Sequence, residues 1–133
     1  MTVSAREVLV VVRRESEYLV LHRSPAKGAY WHTVAGRVEP GEEWREAAAR
    51  ELLEETSLAG AELRELTGFD YVRERWEADP GLRVAVRTFL VDAPAGWEPT
   101  LDHEHDDARW CTREEAVGLL FWPEPARIVA SLA

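Results

Sequence analysis

Apolar residues along the chain group into short runs that predict several β-strands. Residues 6–14 (REVLVVVRR) and 17–23 (EYLVLHR) are rich in β-branched and aliphatic side chains, and a polar break separates them. Such a pair predicts a β-hairpin. Farther along, residues 82–93 alternate well between apolar and polar positions and residues 61–78 alternate imperfectly, while residues 108–112 (ARWCT) follow a loop rich in proline, glycine and acidic residues. Each of these three segments predicts a strand.

Helices are predicted between and after these strands. Residues 30–34 form a short extended piece among glycines and prolines, and a helix is expected from about Glu43 to Thr56, with acidic residues in its first turn. Residues 113–121 and 123–133 predict two further helices. This order of elements predicts a mixed α/β or α+β sandwich.

Length and composition fit a single domain over residues 1–133. Hydrophobic residues make up 46% and charged residues 31% of the chain, which is typical of globular proteins. The longest aliphatic run near the start, Val8 to Val12, is too short for a membrane span or a signal core, so no membrane partner is expected. Because Cys111 is the only cysteine, an internal disulfide is excluded. We therefore expect a cytoplasmic protein.

The net charge of the chain limits which kinds of molecule it is expected to bind. Sixteen basic against 25 acidic residues leave a net charge of −9, which opposes broad attachment to a nucleic-acid backbone. Long nucleic acid is therefore excluded as an expected partner. A small phosphorylated molecule remains compatible, because a bound divalent cation reverses the local field at its site.

Acidic residues concentrate on the helix predicted over residues 43–56. Glu51, Glu54 and Glu55 are related as i, i+3 and i+4, which places them on one helix face, where like charges repel. One interpretation is a solvated surface helix whose glutamates are offset by Arg50. The other is a cation site, because clustered carboxylate oxygens are the ligands that Mg²⁺ or Mn²⁺ requires. Spacing alone leaves both interpretations open.

The residues around these glutamates resemble a known motif. The stretch GRVEPGEEWREAAARELLEETSL is similar to the Nudix box, in which a glycine and a glutamate precede an Arg-Glu-aliphatic-any-Glu-Glu run. The matching positions are Gly36, Glu42, Arg50, Glu51, Leu52, Glu54, Glu55 and Leu58. Ser57 stands where the family usually has glycine. Serine disfavours the left-handed conformation that ends many helices, so we expect a different helix end, with Gly60 taking the reversal.

Membership of the Nudix family implies a fold and a metal site. The fold would be an α/β/α sandwich with a mixed sheet. Glu51, Glu54 and Glu55 would bind Mg²⁺ or Mn²⁺, with help from the main-chain carbonyl of Ala35 or Gly36. Glu42 and Arg50 would form a structural ion pair. A general base comes either from the box or from a later loop, and the two candidates are Glu51 and Glu104, in the segment DHEHDD.

The resemblance also implies a reaction. Family members mostly hydrolyse a pyrophosphate bond in a nucleoside diphosphate derivative, and the later EH and ARW residues look most like the branch acting on nucleoside triphosphates and dihydroneopterin triphosphate. The alternatives are a dinucleoside polyphosphate or nucleotide-sugar hydrolase, and a Nudix module that binds nucleotides without catalysis. Dimers are frequent in the family, so a homodimer is compatible.

Substrate contacts follow less directly from the sequence. Arg23 and Lys27, at the end of the second strand, are candidates for binding phosphates. Trp31 and Tyr71 are candidates for stacking on a base, although aromatic residues in strands more often belong to the core.

Overall fold

The computed structural model of the protein describes residues 5–132. Its elements are β1 (Ala5–Arg14), β2 (Glu17–Arg23), β3 (Trp31–His32), β4 (Val34–Arg37), α1 (Trp44–Thr56), β5 (Arg64–Glu65), β6 (Phe69–Val72), β7 (Arg83–Asp92), β8 (His105–Cys111), α2 (Arg113–Leu119) and α3 (Pro123–Ser131). The predicted hairpin, the long strand near residue 90 and the three helices are confirmed. No helix within residues 5–132 is both long and apolar enough to cross a membrane.

The eight strands form one mixed sheet with β1 near its middle. β1 runs parallel to β7 along nearly its whole length and antiparallel to β4 and to the start of β2. β8 pairs with β2, and β5 and β6 pair with β7. A strand with neighbours on both edges and helices over both faces is buried on both sides. This explains why residues 8–12 are continuously apolar rather than alternating.

The helices cover opposite faces of this sheet, which confirms the predicted α/β/α sandwich. Alternate residues of β1 point to different cores: Val8, Val10 and Val12 pack with α1, whereas Leu9 and Val11 pack with α2 and α3. Core residues are at most 8% exposed. α1 is thereby fixed with one face against the sheet, and that face carries part of the candidate site.

The strand predicted over residues 61–78 is wrong in extent. Two short strands, β5 and β6, replace it, and both pair with β7. Between them, a side chain on Gly68 would collide with the carbonyl oxygen of Val86, and the Thr88 hydroxyl donates to the Thr67 carbonyl oxygen at 2.7 Å. A close approach of the backbone at a glycine therefore interrupts the ladder.

The expected helix end is also wrong. Ser57 itself adopts the left-handed conformation, with φ 67°, and its N–H donates to the Leu53 carbonyl oxygen at 2.9 Å. Gly60 is left-handed too, with φ 71°, but it lies beyond the cap. The hydrogen bond that closes α1 needs this conformation at Ser57, so the serine accepts the strain that a glycine would avoid.

Replacing Ser57 with glycine should stabilise the fold. A residue with a Cβ costs about 1 kcal/mol in this conformation, so Ser57→Gly is expected to raise the free energy of unfolding by about 0.5–1 kcal/mol. Urea unfolding measures the change. Gly60→Ala is the matched control, since it introduces a Cβ at φ 71° without a steric contact, and it should destabilise by a similar amount. A less stable Ser57→Gly variant would show that the Ser57 hydroxyl, 3.4 Å from the Thr100 carbonyl oxygen, outweighs the backbone strain.

Candidate active site

A capped helix start positions the acidic residues of α1. The Glu43 N–H donates to the Glu46 side chain at 2.8 Å, completing a capping box that begins the helix directly after the turn from β4. Ala47 and Ala48 are fully buried against the sheet. Glu51 and Glu55 follow one and two turns later on the same side, so they face the backbone of β4.

The structure brings together Glu51 and Glu55 but leaves Glu54 apart. The carboxyl groups of Glu51 and Glu55 lie next to each other and interact electrostatically. Their side chains are 12% and 2% exposed, whereas the Glu54 side chain is 53% exposed and pairs with Arg50 at 3.3 Å. The three residues start from the same face of α1, as predicted, but the Glu54 side chain extends into solvent.

Glu55 is a buried carboxyl group with an incomplete set of partners. Burial first, and then the hydrogen bond and charge of Glu51, raise its pKa from 4.5 to about 10, while a backbone hydrogen bond at Ala35 acts in the opposite direction. Its Oε1 atom has no hydrogen-bond partner within the described residues. A buried, unpaired oxygen beside a second carboxylate is costly without a cation or a proton.

Gly36 provides the space that Glu51 occupies. A Cβ built on Gly36 would overlap the carboxyl carbon and both carboxyl oxygens of Glu51. The φ angle of Gly36 is not positive, so the glycine is required for side-chain space and not for backbone conformation. The first glycine of the motif thus lets a carboxylate lie directly on β4, where the carbonyl of Ala35 or Gly36 is expected to help bind a cation.

Arg50 organises the outer side of this group. Its guanidinium donates to both carboxyl oxygens of Glu42, at 2.8 and 3.0 Å, and to the Arg37 carbonyl oxygen at 2.9 Å. It also reaches Glu51 at 2.8 Å. The hydrogen bonds from Arg50 lower the pKa of Glu42 to about 2. The predicted pair of Glu42 and Arg50 is present, and it links the loop before α1 to the helix.

Lysine at position 50 should not reproduce the hydrogen bonds of the planar Arg50 guanidinium group. An ammonium group cannot bind Glu42 with two parallel bonds while also reaching the Arg37 carbonyl. We expect Arg50→Lys to lower the free energy of unfolding by about 1–3 kcal/mol, measured by chemical unfolding. Arg127→Lys is the matched control, because Arg127 makes one exposed contact with Glu124 at 4.0 Å, and it should change stability by less than about 0.5 kcal/mol. Equal effects of the two changes would contradict this role for Arg50.

A cavity of about 920 Å³ opens beside Glu51. Its charged lining residues include Arg23, Lys27, Arg37 and Glu104. Its aromatic lining residues are Tyr30, Phe69, Tyr71, Trp76 and Trp122. A volume of this size is typical of sites for small molecules.

Three predicted residues lie together in this cavity. The Lys27 ammonium contacts the Glu104 carboxylate at 3.1 Å, and Arg23 donates to the Lys27 carbonyl oxygen at 3.0 Å. The Ser24 N–H donates to the Glu104 carbonyl oxygen at 2.8 Å. The loop after β2 and the loop before β8, distant in sequence, are thereby joined at the cavity.

The two predicted stacking residues have different positions. Tyr71 lines the cavity, but its hydroxyl donates to Glu7 at 2.8 Å. Trp31 does not line it: its ring lies against the edge of His22 and under the guanidinium of Arg109. Successive strand residues point to opposite faces, so the neighbour of Trp31, His32, lines the cavity instead.

Several residues of the site were not predicted from sequence. His32 is half-buried at the cavity, and desolvation of its ring together with the charge of Arg23 lowers its pKa to about 3. Glu7 on β1 binds both Tyr71 and Arg73, the latter at 3.0 Å. His105, expected from sequence only as a loop residue that flanks Glu104, lies beside Glu55 together with Asp102. Only the pairing of distant strands brings these residues together, and no local pattern signals it.

The residues present fit a divalent cation, with one rearrangement. Within residues 5–132, no three His, Cys, Asp or Glu side chains already stand as a metal-binding group, because Glu54 is turned to Arg50. Glu51 and Glu55 do form a close pair of hard oxygen ligands: the Glu51 carboxyl group lies over Gly36, and Oε1 of Glu55 is buried without a hydrogen-bond partner within the described residues. A rotamer change of exposed Glu54 would complete the predicted set.

Comparison with known proteins identifies the family. The family model of the NUDIX domain matches residues 3–132. The chain therefore belongs to the Nudix family, as the residues from Gly36 to Leu58 predict.

Several proteins are similar in sequence to parts of this chain. An octanoyltransferase of Myxococcus xanthus is 37% identical over 99 residues, and the NAD-capped RNA hydrolase NudC of Pasteurella multocida is 34% identical over 103 residues. These alignments include 72% and 77% of this chain but only 26% and 36% of those longer proteins. The CTP pyrophosphohydrolase of Escherichia coli is 32% identical over 114 residues, which is 83% of this chain and 77% of that protein.

Solved structures share the whole fold. The dihydroneopterin triphosphate pyrophosphohydrolase of E. coli superposes with a TM-score of 0.84 over 96% of this chain and 93% of that one, at 21% identity. An Ap4A hydrolase of C. elegans superposes with a TM-score of 0.79 over 95% and 93% of the two chains, at 25% identity. The first likeness establishes the fold alone, since its sequence identity is low.

Proposed function

We propose that the protein is a Mg²⁺- or Mn²⁺-dependent hydrolase that cleaves a pyrophosphate bond in a nucleotide-like substrate and releases a monophosphate and pyrophosphate. The observation that carries this proposal is the close pair of Glu51 and buried Glu55, of which Glu51 lies over Gly36 and lines a cavity that Arg23 and Lys27 also line. Two facing carboxylates destabilise a fold that has no cation to bind. The presence of this pair beside Arg23 and Lys27 therefore supports a site where a cation and a phosphorylated substrate bind together.

Each part of the cavity has a role in this reaction. When bound by Glu51, Glu54 and Glu55, the cation would supply charge neutralisation on the pyrophosphate oxygens. Arg23 and Lys27 would bind phosphate oxygens and orient the chain of phosphates. A water oxygen would attack one phosphorus, the bond from that phosphorus to the bridging oxygen would break, and the water proton would pass to a carboxylate.

Two carboxylates remain candidates for that proton. Glu51 lies beside Glu55 and is held by Arg50. Glu104 lines the same cavity from the loop before β8 and is paired with Lys27. Their different partners give each a test: the rising limb of the pH profile of kcat should disappear in Glu104→Gln if Glu104 is the base, and persist if Glu51 is the base.

A nucleoside triphosphate or dihydroneopterin triphosphate is the favoured substrate. The match to a CTP pyrophosphohydrolase, which extends over most of both chains, supports a nucleoside triphosphate, and dihydroneopterin triphosphate rests on the resemblance of the sequence to that branch. The aromatic residues of the cavity support a planar ring on the substrate. The match to an Ap4A hydrolase at 25% identity favours a dinucleoside polyphosphate as the second candidate.

A substrate panel tests the proposal directly. Release of phosphate and pyrophosphate is measured from nucleoside triphosphates, dihydroneopterin triphosphate, dinucleoside polyphosphates and nucleotide sugars, with Mg²⁺, with Mn²⁺ and with EDTA. Cation-dependent turnover of one compound well above the others is expected. Binding of nucleotides without turnover under any condition would instead identify a binding module that has kept its acidic residues.

A further inference from the structure

A buried histidine stands beside the acidic pair without a role in the proposed chemistry. The His105 side chain is 1% exposed, and its Nε2 atom lies 3.6 Å from Oε1 of Glu55. Both of these atoms lack a hydrogen-bond partner within residues 5–132. Two unpaired polar atoms facing each other in a buried site are rarely accidental, because each carries a desolvation cost.

Asp102 holds this histidine from its other side. The Nδ1 atom of His105 lies 2.8 Å from Oδ1 of Asp102. A carboxylate accepts and does not donate, so Nδ1 carries the hydrogen in this contact and Nε2 is directed at Glu55. The ring orientation of His105 is thus fixed by Asp102.

The same oxygen of Asp102 also fixes the neighbouring loop. Oδ1 accepts a second hydrogen bond, from the backbone N–H of Glu104 at 3.2 Å. Glu104 in turn contacts Lys27 at the cavity wall. One carboxylate oxygen therefore connects the helix glutamate Glu55, through His105, with the loop glutamate Glu104.

A β-bulge directs His105 to this position. In the pairing of β2 with β8, His22 is opposite Asp107 but Arg23 is opposite His105, so Asp106 is an extra residue. In regular pairing, His105 would point to the opposite face of the sheet, away from α1. Bulges of this kind re-aim side chains near active sites, and the bulge here places His105 on the face that carries Glu55.

We propose that Asp102 and His105 are positioning residues that hold the Glu55 carboxyl and the Glu104 loop at a fixed separation. His105 limits the rotamers of Glu55 through its contact with Oε1, and Asp102 sets the conformation of the backbone at Glu104. The inference rests on the proposed function for its kinetic consequence. Its structural part concerns the protein without substrate.

Kinetics separate positioning from a general structural role. In His105→Ala and Asp102→Ala, kcat is expected to fall by about 10- to 100-fold, with KM changed by less than about threefold, because the phosphate-binding residues Arg23 and Lys27 are untouched. Asp102→Asn should recover most of the loss, since its amide oxygen still accepts from both donors. His103→Ala is the matched control: His103 is the exposed neighbour, and the variant should match the wild type.

A second readout does not depend on turnover. Mn²⁺ binding to the protein without substrate, followed by electron paramagnetic resonance, is expected to weaken about 10-fold or more in His105→Ala and Asp102→Ala and to recover in Asp102→Asn. Hydrogen exchange of the Glu104 amide should accelerate in Asp102→Ala alone. Circular dichroism and thermal unfolding confirm that each variant is folded before it is compared.

The outcomes are distinguishable from failure of the proposed function. If the wild type hydrolyses nothing but Mn²⁺ binding and amide exchange change as expected, the positioning role stands and the hydrolase proposal fails. Unchanged Mn²⁺ affinity in folded His105→Ala, or equal losses in Asp102→Asn and Asp102→Ala, would overturn the positioning role.

Discussion

Replacing Glu55 with glutamine is expected to lower kcat by about 10²- to 10³-fold while the protein stays folded. The amide keeps the size of the carboxyl group but is a poor cation ligand. Because Glu55 is 2% exposed and α1 is packed through Ala47 and Ala48, a change of equal volume preserves the packing. Glu62→Gln, at an exposed position, is the control and should keep full activity. Undiminished turnover in Glu55→Gln would exclude Glu55 from the catalytic group.

The same variant has an opposite effect on stability when no cation is present. The pKa of Glu55 is about 10 in the folded protein against 4.5 for the ordinary group, so between these values the folded state holds a proton that the unfolded state has released. The stabilisation from this proton is fully present below about pH 4.5 and is lost as the pH rises toward 10. Urea unfolding in EDTA should therefore show the wild type losing stability as the pH rises between about 5.5 and 8.

Glutamine has no proton to lose, so Glu55→Gln should lack this contribution and be the more stable protein near pH 8 in EDTA. Added Mg²⁺ should stabilise the wild type by mass action and leave the variant nearly unchanged. A variant with the same pH dependence as the wild type would assign the titration to another group. An activity loss combined with a gain in cation-free stability is the signature of a group retained for function at the expense of the fold.

Helical spacing predicted the location of the acidic residues but not their arrangement. Positions i, i+3 and i+4 place Glu51, Glu54 and Glu55 on one side of α1 whatever surrounds them. The choice between facing Glu51 and facing solvent depends on side-chain rotamers, and Arg50 draws Glu54 away. Local periodicity carries no information on such competition, so the motif predicts the ligand set, and the fold determines which of these side chains already lie together.

The other differences between the predicted and the observed site arise from the pairing of strands that are distant in sequence. Trp31 and His32 are neighbouring aromatic side chains of one short strand, and their sequence does not show which of them faces the cavity. The register of β3 against β2, with His32 opposite Leu21, decides this. His105 reaches Glu55 because of one extra residue in β8. A one-residue shift in register exchanges the two faces of a strand. Sequence patterns therefore predicted the elements and the sandwich, whereas the lining of the cavity depends on registers that no single segment encodes.

The second large effect is expected at Gly36, a residue without a side chain. In Gly36→Ala the new methyl group would occupy the space of the Glu51 carboxyl group. The obstructing atoms are the far end of a flexible side chain, so Glu51 can move away while β4 keeps its pairing with β1, in which Gly36 is opposite Val8. We expect kcat to fall by about 10²-fold or more, and Mn²⁺ affinity to fall with it, while the free energy of unfolding changes by less than about 2 kcal/mol.

Gly118→Ala provides the matched control for this change. A Cβ on Gly118 meets no atom within 4 Å, and the residue lies within α2, where alanine is favoured over glycine by up to about 1 kcal/mol. That variant should be slightly more stable and fully active. If Gly36→Ala retained wild-type turnover and Mn²⁺ affinity, the position of Glu51 against the β4 backbone would be irrelevant to cation binding. If Gly36→Ala failed to fold while Gly118→Ala folded, the close approach of Gly36 and Glu51 would be needed for the fold itself. Displacement of the Glu51 side chain alone would not unfold β4, because β4 is paired with β1.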